Sequence, residues 1–462
     1  MKRILLSLLL LTTACNPLVP QKAVPPTAPS NYSVAATAGQ EQLPERWWTV
    51  FSDEQLNRLE NELFAQNLDL RQSLARLEQL DAQLQSAGAS LWPTLGLSAS
   101  AARSRTAAGV YSGATSVSLA AGYEVDLWNR LHDQESAARM RRAAGAAQTR
   151  TLLLSLSAQL AEQYFIAIEQ RNQLTLLERQ IEHYHQLLEI VTERYRGGLA
   201  VADELYHARQ NLAAARARVP AYRNALAQAQ NAIALLLGQA PGTLEIAADR
   251  LPEPLPLVAI GLPGDLLTRR PDITAALRTL DAADHSLAAA VAERLPALDL
   301  SASLGRSLTH LTAGNVEGTF WTLVLGLSQP LLDGGRREAE IRRQTAIRNE
   351  ALAAAEQAIL TALQDVENAL SSERATREQG VLIDDQQQII LQRLELAREN
   401  YRAGLSDSRD LLDNEISYLN ILTQQISNRR QWLSNRISLA RALGGSWMEE
   451  ELKRRTDSKT PQ

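Results

Sequence analysis

The chain has 462 residues, a net charge of −5 and one cysteine, with only 4 Phe and 3 Met. No block of basic residues marks a nucleic-acid partner, and a single thiol excludes an internal disulfide. Ala, Leu, Gln, Glu and Arg dominate, which is the palette of long helices.

The first element is a leader. Lys2-Arg3, the apolar run Ile4 to Leu11 and the small residues Thr12-Thr13-Ala14 before Cys15 predict a secretory signal over 1–14. The run is too short to span a bilayer as a mature helix. The segment resembles a bacterial lipoprotein signal, in which Cys15 is lipidated and becomes the new N-terminus. Thr12 stands where Leu is more usual, and Asn16 in place of Asp resembles the signal for outer-membrane sorting. Residues 15–45, rich in Pro, Ala, Ser and Thr, read as an extended tether because they cannot bury enough surface to fold alone.

From residue 46 the chain is one unit of roughly two hundred residues written twice, a period too long for a solenoid repeat. Tyr195-Arg196-Gly197-Gly198-Leu199 recurs 206 residues later as Tyr401-Arg402-Ala403-Gly404-Leu405, and in the same register Leu237-Gly238 meets Leu443-Gly444. Upstream, Leu91-Trp92-Pro93-Thr94-Leu95 answers Arg294-Leu295-Pro296-Ala297-Leu298 at a slightly shorter offset. The first repeat is placed at 46–250, the second at 251–447, and a polar tail at 448–462.

Within each repeat, two strands precede a long helical pair. Leu95, Leu97, Ala99 and Ala101 alternate with Gly96, Ser98 and Ser100, and Val117 to Val125 alternates likewise, which predicts strands at about 95–104 and 116–126. The second copy predicts strands at about 297–305 and 319–329, with Gly/Ser/Thr-rich loops from Arg103 to Thr115 and from Gly305 to Thr319. Such alternation fits a membrane-barrel strand and also a half-buried soluble sheet; the absence of other strands to build a soluble core favours the barrel. Four strands cannot close a barrel, whose usual minimum is about eight, so the barrel is shared between chains. The helices carry strict heptad seams. One runs Leu205, Ala208, Leu212, Ala215, Val219, Tyr222, Leu226, Ala229, Ile233 and Leu236; another runs from Leu174 to Tyr195, copied through Ile383, Ile390, Leu394, Ala397 and Tyr401. No proline interrupts Leu131 to Arg196, so that helix reaches on the order of 100 Å at about 1.5 Å per residue.

Three blocks are similar to the TolC-like outer-membrane efflux channels, in particular their lipidated multidrug-efflux branch. Trp47-Trp48, Phe51, Asp53 and Leu56, followed by Asn67-Leu68-Asp69-Leu70, resemble the family's opening block. Leu262-Pro263, Leu266-Leu267 and Arg269-Arg270-Pro271-Asp272-Ile273 resemble its central signature, although Leu277 stands where the family commonly has Glu. Ala442-Leu443-Gly444-Gly445-Ser446-Trp447 resembles its closing block. The resemblance implies a mainly α protein with membrane β: a homotrimeric α-helical periplasmic tunnel continuous with a shared 12-stranded outer-membrane β-barrel, four strands per chain. A mixed equatorial belt would come from the termini and from the connection around Gly238 to Pro263. The implied location is the bacterial outer membrane, lipid-anchored and extending into the periplasm.

The implied function is a passive exit duct for drugs or other small molecules. The implied partners are a periplasmic adaptor and an inner-membrane pump of the resistance-nodulation-division type. An exit duct for an ABC-type exporter or type I secretion system is the alternative in the same fold, and a lipid-anchored structural coiled coil without a pore is the alternative outside it. The adaptor-docking turns would be Tyr195, Arg196, Gly198 and Leu199, and Tyr401, Arg402, Gly404 and Leu405, residues that equally serve as helix caps. Asp410 and Asp413, at i, i+3 spacing, match the paired aspartates that line the family's periplasmic constriction, and also fit a plain solvated helix face. The first copy has Glu204 and His207 there. No catalytic motif, metal cluster or cofactor signature is legible; His183 and His185 are two apart and point to different faces of their helix.

Overall fold

The computed structural model describes residues 44, 46–105, 107, 109, 111–254, 264, 269–311 and 314–457. The expected signal, Cys15 and the tether through residue 43 lie outside the described residues. A 3-10 turn at Trp47–Phe51 precedes α1 (Glu54–Gln66), α2 (Leu68–Ala89), β1 (Thr94–Arg105), β2 (Tyr111–Val125), α3 (Arg130–Arg196) and α4 (Ala202–Leu236). The order then repeats with α5 (Pro271–Ala292), β3 (Ala297–Leu311), β4 (Gly314–Ser328), α6 (Arg336–Arg402) and α7 (Ser408–Leu443), and α8 (Trp447–Asp457) closes the chain. Both α3 and α6 have 67 residues, so the duplication is kept to the residue in the longest elements.

The compact units are not the sequence repeats. One unit gathers Ala75–Ala147 and Thr274–Ala358; the other gathers the described residues up to Leu74 with Gln148–Ile273 and Ile359–Gln462. Each takes matching pieces of both copies, because the hairpins of the two copies hydrogen-bond to each other and their helix bases share one core.

In the first unit the strands form one antiparallel sheet in the order β1-β2-β3-β4, with β1 and β4 as its edges. The register lines apolar side chains into rows across it: Leu97 faces Leu119, Leu119 faces Leu304, and Leu304 faces Trp321. Among the described residues nothing covers this face; Leu97 and Trp321 are 76% and 77% exposed. On the opposite face, small hydroxyls pair across β1 and β2, with Ser98 and Ser118 at 2.9 Å, Ser100 and Ser116 at 2.8 Å, and Ser104 and Ser112 at 2.8 Å. An uncovered apolar face backed by a small polar one is the pattern of a lipid-facing strand.

The strands are longer than the sequence suggests. The stretches expected as loops, Arg103 to Thr115 and Gly305 to Thr319, are mostly strand, so β2 begins at Tyr111 and β3 runs on to Leu311. Their Gly, Ser and Thr residues read as loop composition, yet the ladder is made by backbone groups and only the lipid face needs apolar side chains.

The second unit holds the main core. Trp47, Trp48, Leu56, Leu63 and Phe64 pack with Leu153, Leu160, Tyr164 and Phe165 of α3, Ile233 of α4, Trp432 and Leu433 of α7, and Trp447 and Met448 of α8. The rings of Trp48 and Trp447 meet edge-on at 5.0 Å, joining the opening and closing blocks. The segment from 448, expected as a polar tail, is therefore helical to Asp457 and docked by Met448, which is buried. Its charged residues obscure two inward-facing apolar positions, Met448 and Leu452. Glu60 is wholly buried in this core, where its carboxyl accepts from Ser157 Oγ at 3.1 Å and burial pushes its pKa well above the usual carboxylate range.

The central signature clasps the closing block. Pro271 opens α5, where its missing N–H costs nothing, and Asp272 accepts from Arg270 at 2.6 Å and from the Ile273 N–H at 2.9 Å. The buried Arg270 guanidinium also donates to Asp365 at 3.0 Å and to the Ala442 carbonyl at 3.2 Å. Gly444, at φ +72, leaves no room for a side chain: a Cβ there would stand 2.6 Å from the Arg269 carbonyl oxygen.

Candidate functional site

The heptad seams build the platform for both turns. Leu177, Tyr184, Leu187 and Val191 of α3 pack on Leu205, Ala208, Leu212 and Ala215 of α4, with Leu412 of α7 against them. On the other pair, Leu394 and Ala397 of α6 meet Leu411 of α7, with Tyr401 and Tyr418 at the margin. The last residues of α3 and α6 are thereby held in place, and the chain must reverse within a few residues.

It does so twice in the same way. At the first turn Gly198 N–H donates to the Tyr195 carbonyl at 3.0 Å and Leu199 N–H to the Arg194 carbonyl at 2.8 Å; at the second, Gly404 donates to Tyr401 at 3.1 Å and Leu405 to Asn400 at 2.8 Å. This pair of bonds around a left-handed residue is the Schellman motif, and the glycines supply it at φ +71 and +72. Space is not the constraint, since a Cβ on either glycine would meet nothing within 4 Å. The backbone conformation is.

The turns hold two leucines out to solvent. Leu199 is 74% and Leu405 79% exposed, and Val201 and Tyr206 add exposed apolar surface near the first. The candidate residues then separate into two roles. Tyr195 and Arg196 lie open, the latter paired with Glu193 at 2.6 Å, and Arg402 is exposed. Tyr401 is half-buried under the Arg194 guanidinium, which sits 5.3 Å from the ring centroid, so it anchors its turn. Nothing in the sequence singles out Arg194, since a cation one place before Tyr195 carries no positional signal by itself.

Beyond the second turn, Asp410 and Asp413 are exposed while Leu411, Leu412 and Asn414 between and beside them are buried. The two carboxylates therefore occupy the outward face of α7. Asp407 caps that helix, accepting from the Asp410 N–H at 2.9 Å. In the first copy the cap position is Val201, whose N–H is reached weakly by Glu204 at 3.4 Å, and His207 pairs with Asp203 at 3.6 Å. Asp407 was legible as an N-cap residue three before Asp410, but an aspartate just ahead of an acidic pair reads first as more of the same charge. Cys15 lies outside the described residues. Among the described residues no group of three or more His, Cys, Asp and Glu is placed to hold a metal ion.

The model of the family described as outer membrane efflux protein matches residues 59–239 and 262–445. The chain belongs to this family. It is 29% identical over 464 residues to the pyoverdine export outer membrane protein OpmQ of Pseudomonas putida, covering 96% of this chain and 97% of that one. It is 30% identical over 419 residues to the toluene efflux pump outer membrane protein TtgF of Pseudomonas putida, covering 87% and 85%. The solved outer-membrane channel OprN superposes with a TM-score of 0.85 at 27% identity, over 94% of this chain and all of that one. This efflux-family chain is thus an outer-membrane efflux channel, with the fold of the trimeric TolC-like channels: a helical periplasmic tunnel continuous with a barrel to which each chain gives four strands.

Proposed function

We propose that the chain assembles as a homotrimer and serves as the passive exit duct of a tripartite pump. Small organic molecules would be delivered by an inner-membrane transporter of the resistance-nodulation-division type through a periplasmic adaptor. The observation that carries this reading is the pair of duplicated turns, each a rigid glycine reversal that presents a bare leucine to solvent. Exposed apolar tips at fixed positions suit docking to a partner helix better than they suit water. Asp410 and Asp413 would gather around the trimer axis beside these tips as a ring of carboxylates, attracting cations and opposing anions at the periplasmic mouth. The names of the relatives speak of pyoverdine, toluene and antibiotics, which supports small molecules as cargo. The duct itself performs no chemistry, and the pump supplies the energy. Acylation of Cys15 would add a lipid anchor beside a barrel that holds itself in the membrane without it.

The test is functional. Purified protein in planar bilayers is expected to give discrete conductance steps, and restoring the gene to cells stripped of their efflux ducts is expected to lower accumulation of a hydrophobic dye. Absence of conductance steps, or dye accumulation unchanged by the intact chain together with its adaptor and pump, would overturn the reading.

A further inference from the structure

The two most exposed large apolar side chains among the described residues are adjacent. Leu331 and Leu332, in the connection after β4, are 92% and 93% exposed. The chain is anchored immediately after them: the Asp333 carboxylate accepts from the Gly335 N–H at 3.0 Å and the Arg337 N–H at 3.3 Å, and it pairs with the Arg337 guanidinium, closing the chain onto α6. An adjacent apolar pair facing water beside an anchored residue implies an absent neighbour.

A receptive surface lies at the other edge of the same sheet. The lead-in to β1, with the end of α2 and the start of α3, lines an open cavity of about 440 Å³ whose apolar wall is Ala89, Leu91 and Trp92 and whose polar wall includes Gln85, His132, Glu135 and Arg139. Ala89 and Trp92 are exposed, so the cavity is open to side chains from outside the chain. Trp92 is 73% exposed.

The inner seam of the sheet shows how such segments meet. β2 pairs with β3, Val125 facing Leu298, and the connection after β2 rests on the lead-in to β3 through a hydrogen bond from Trp128 Nε1 to the Pro296 carbonyl at 2.8 Å. Pro296 is in the second copy what Pro93 is in the first. The connection after β4 is likewise the second copy of the connection after β2. Within one chain the connection after β4 and the lead-in to β1 stand at opposite edges and never meet. Both edges nevertheless start and stop at the same end of the sheet, since Thr94 faces Gly122 and Ala297 faces Ser328. Antiparallel pairing of β4 with β1 of another copy therefore repeats the inner seam between chains.

We propose that Leu331 and Leu332 of each copy seat in the cavity beneath β1 of the next copy, against Ala89, Leu91 and Trp92. The inference rests on the shared barrel of the preceding reading and names the contact that closes it. Each copy offers one projection and one socket, a head-to-tail arrangement that closes on itself when the ring is complete. The chemistry differs from the inner seam. There, Leu127 and Trp128 come after the capping Asp126 and the indole makes a polar bond; here, the leucines precede the capping Asp333 and the contact is apolar.

The test is a disulfide across the seam. The double variant Ala89→Cys with Leu332→Cys, oxidised in detergent, is expected to run as covalent dimers and trimers on non-reducing gels, and each single variant as a monomer. Light scattering on the same samples reports assembly independently. Trimers by light scattering without cross-linking would overturn this contact and leave the shared barrel standing; folded monomers by light scattering would overturn both. As a second arm, Leu331→Glu with Leu332→Glu is expected to lower the temperature at which trimers dissociate, with helical circular dichroism unchanged. Equal trimer stability would also remove the proposal.

Discussion

The turn at Gly198 and the turn at Gly404 share a backbone to within a degree in glycine φ, +71 against +72, and their hydrogen bonds match closely, at 3.0 against 3.1 Å and 2.8 against 2.8 Å. The helices that leave them differ. The second turn leads into a helix capped by Asp407 with Asp410 and Asp413 on its open face; the first leads into one capped weakly at Val201, with Glu204 and His207 at the matching places. Backbone reversal depends on a left-handed residue and two carbonyls, so duplication preserved it. Charge on an exposed helix face contributes little to folding, so it was free to diverge. A trimer of such chains has six nearly equivalent turns and only three acidic pairs.

The strongest way to break the equivalence is to remove one glycine. Gly404→Val places a β-branched side chain at positive φ, a strain of about 1–3 kcal/mol, and is expected to abolish dye efflux while trimers still form and insert. Gly198→Val is expected to do the same if the turns are alike in use. Trimer loss in either variant, read on native gels, would mean that the turn serves assembly first. Next in size is the charge difference. Asp410→Ala with Asp413→Ala is expected to widen the resting conductance several-fold and to remove block by divalent cations; unchanged conductance and unchanged block would take the pair out of the mechanism. Glu204→Ala with His207→Ala is expected to leave cation block in place, which separates the two turns directly.

A smaller effect is expected at the tips. Leu405→Asp and Leu199→Asp should each weaken adaptor binding about tenfold, or about 1.4 kcal/mol, measured by titration of the purified adaptor. A loss at one turn only would show that the adaptor distinguishes the copies. The smallest effect is at the caps. Asp407→Val is expected to lose about 1 kcal/mol of helix stability and Val201→Asp to gain a similar amount, read as opposite shifts in thermal melting.

Much of this architecture is legible along the chain, and the reason is local. The 67-residue helices come from helix-forming residues with no proline between Leu131 and Arg196 and from heptad seams over their last turns, the turns from a glycine that ends each, and the strand faces from a period of two. The acidic pair was legible because i, i+3 spacing puts both groups on one face wherever the helix lies. Strand ends were not, because Ser, Thr and Gly serve equally in a loop and on the inner face of a barrel strand, and only backbone pairing such as Ser104 with Ser112 tells them apart. The docking of Met448 on the Trp48 core and the clasp of Arg270 on Ala442 were equally out of reach, since each joins segments far apart in the chain.

By itself, then, the sequence determined the duplication, the helical seams, the alternating strands and the glycine turns, all of which depend on neighbours within a few residues. Tertiary structure alone decided that the two hairpins merge into one sheet through β2 and β3, and that β1 and β4 are left as edges with Leu331, Leu332 and Trp92 uncovered beside them. Strand order is a matter of long-range pairing, which carries no period and no spacing along the chain.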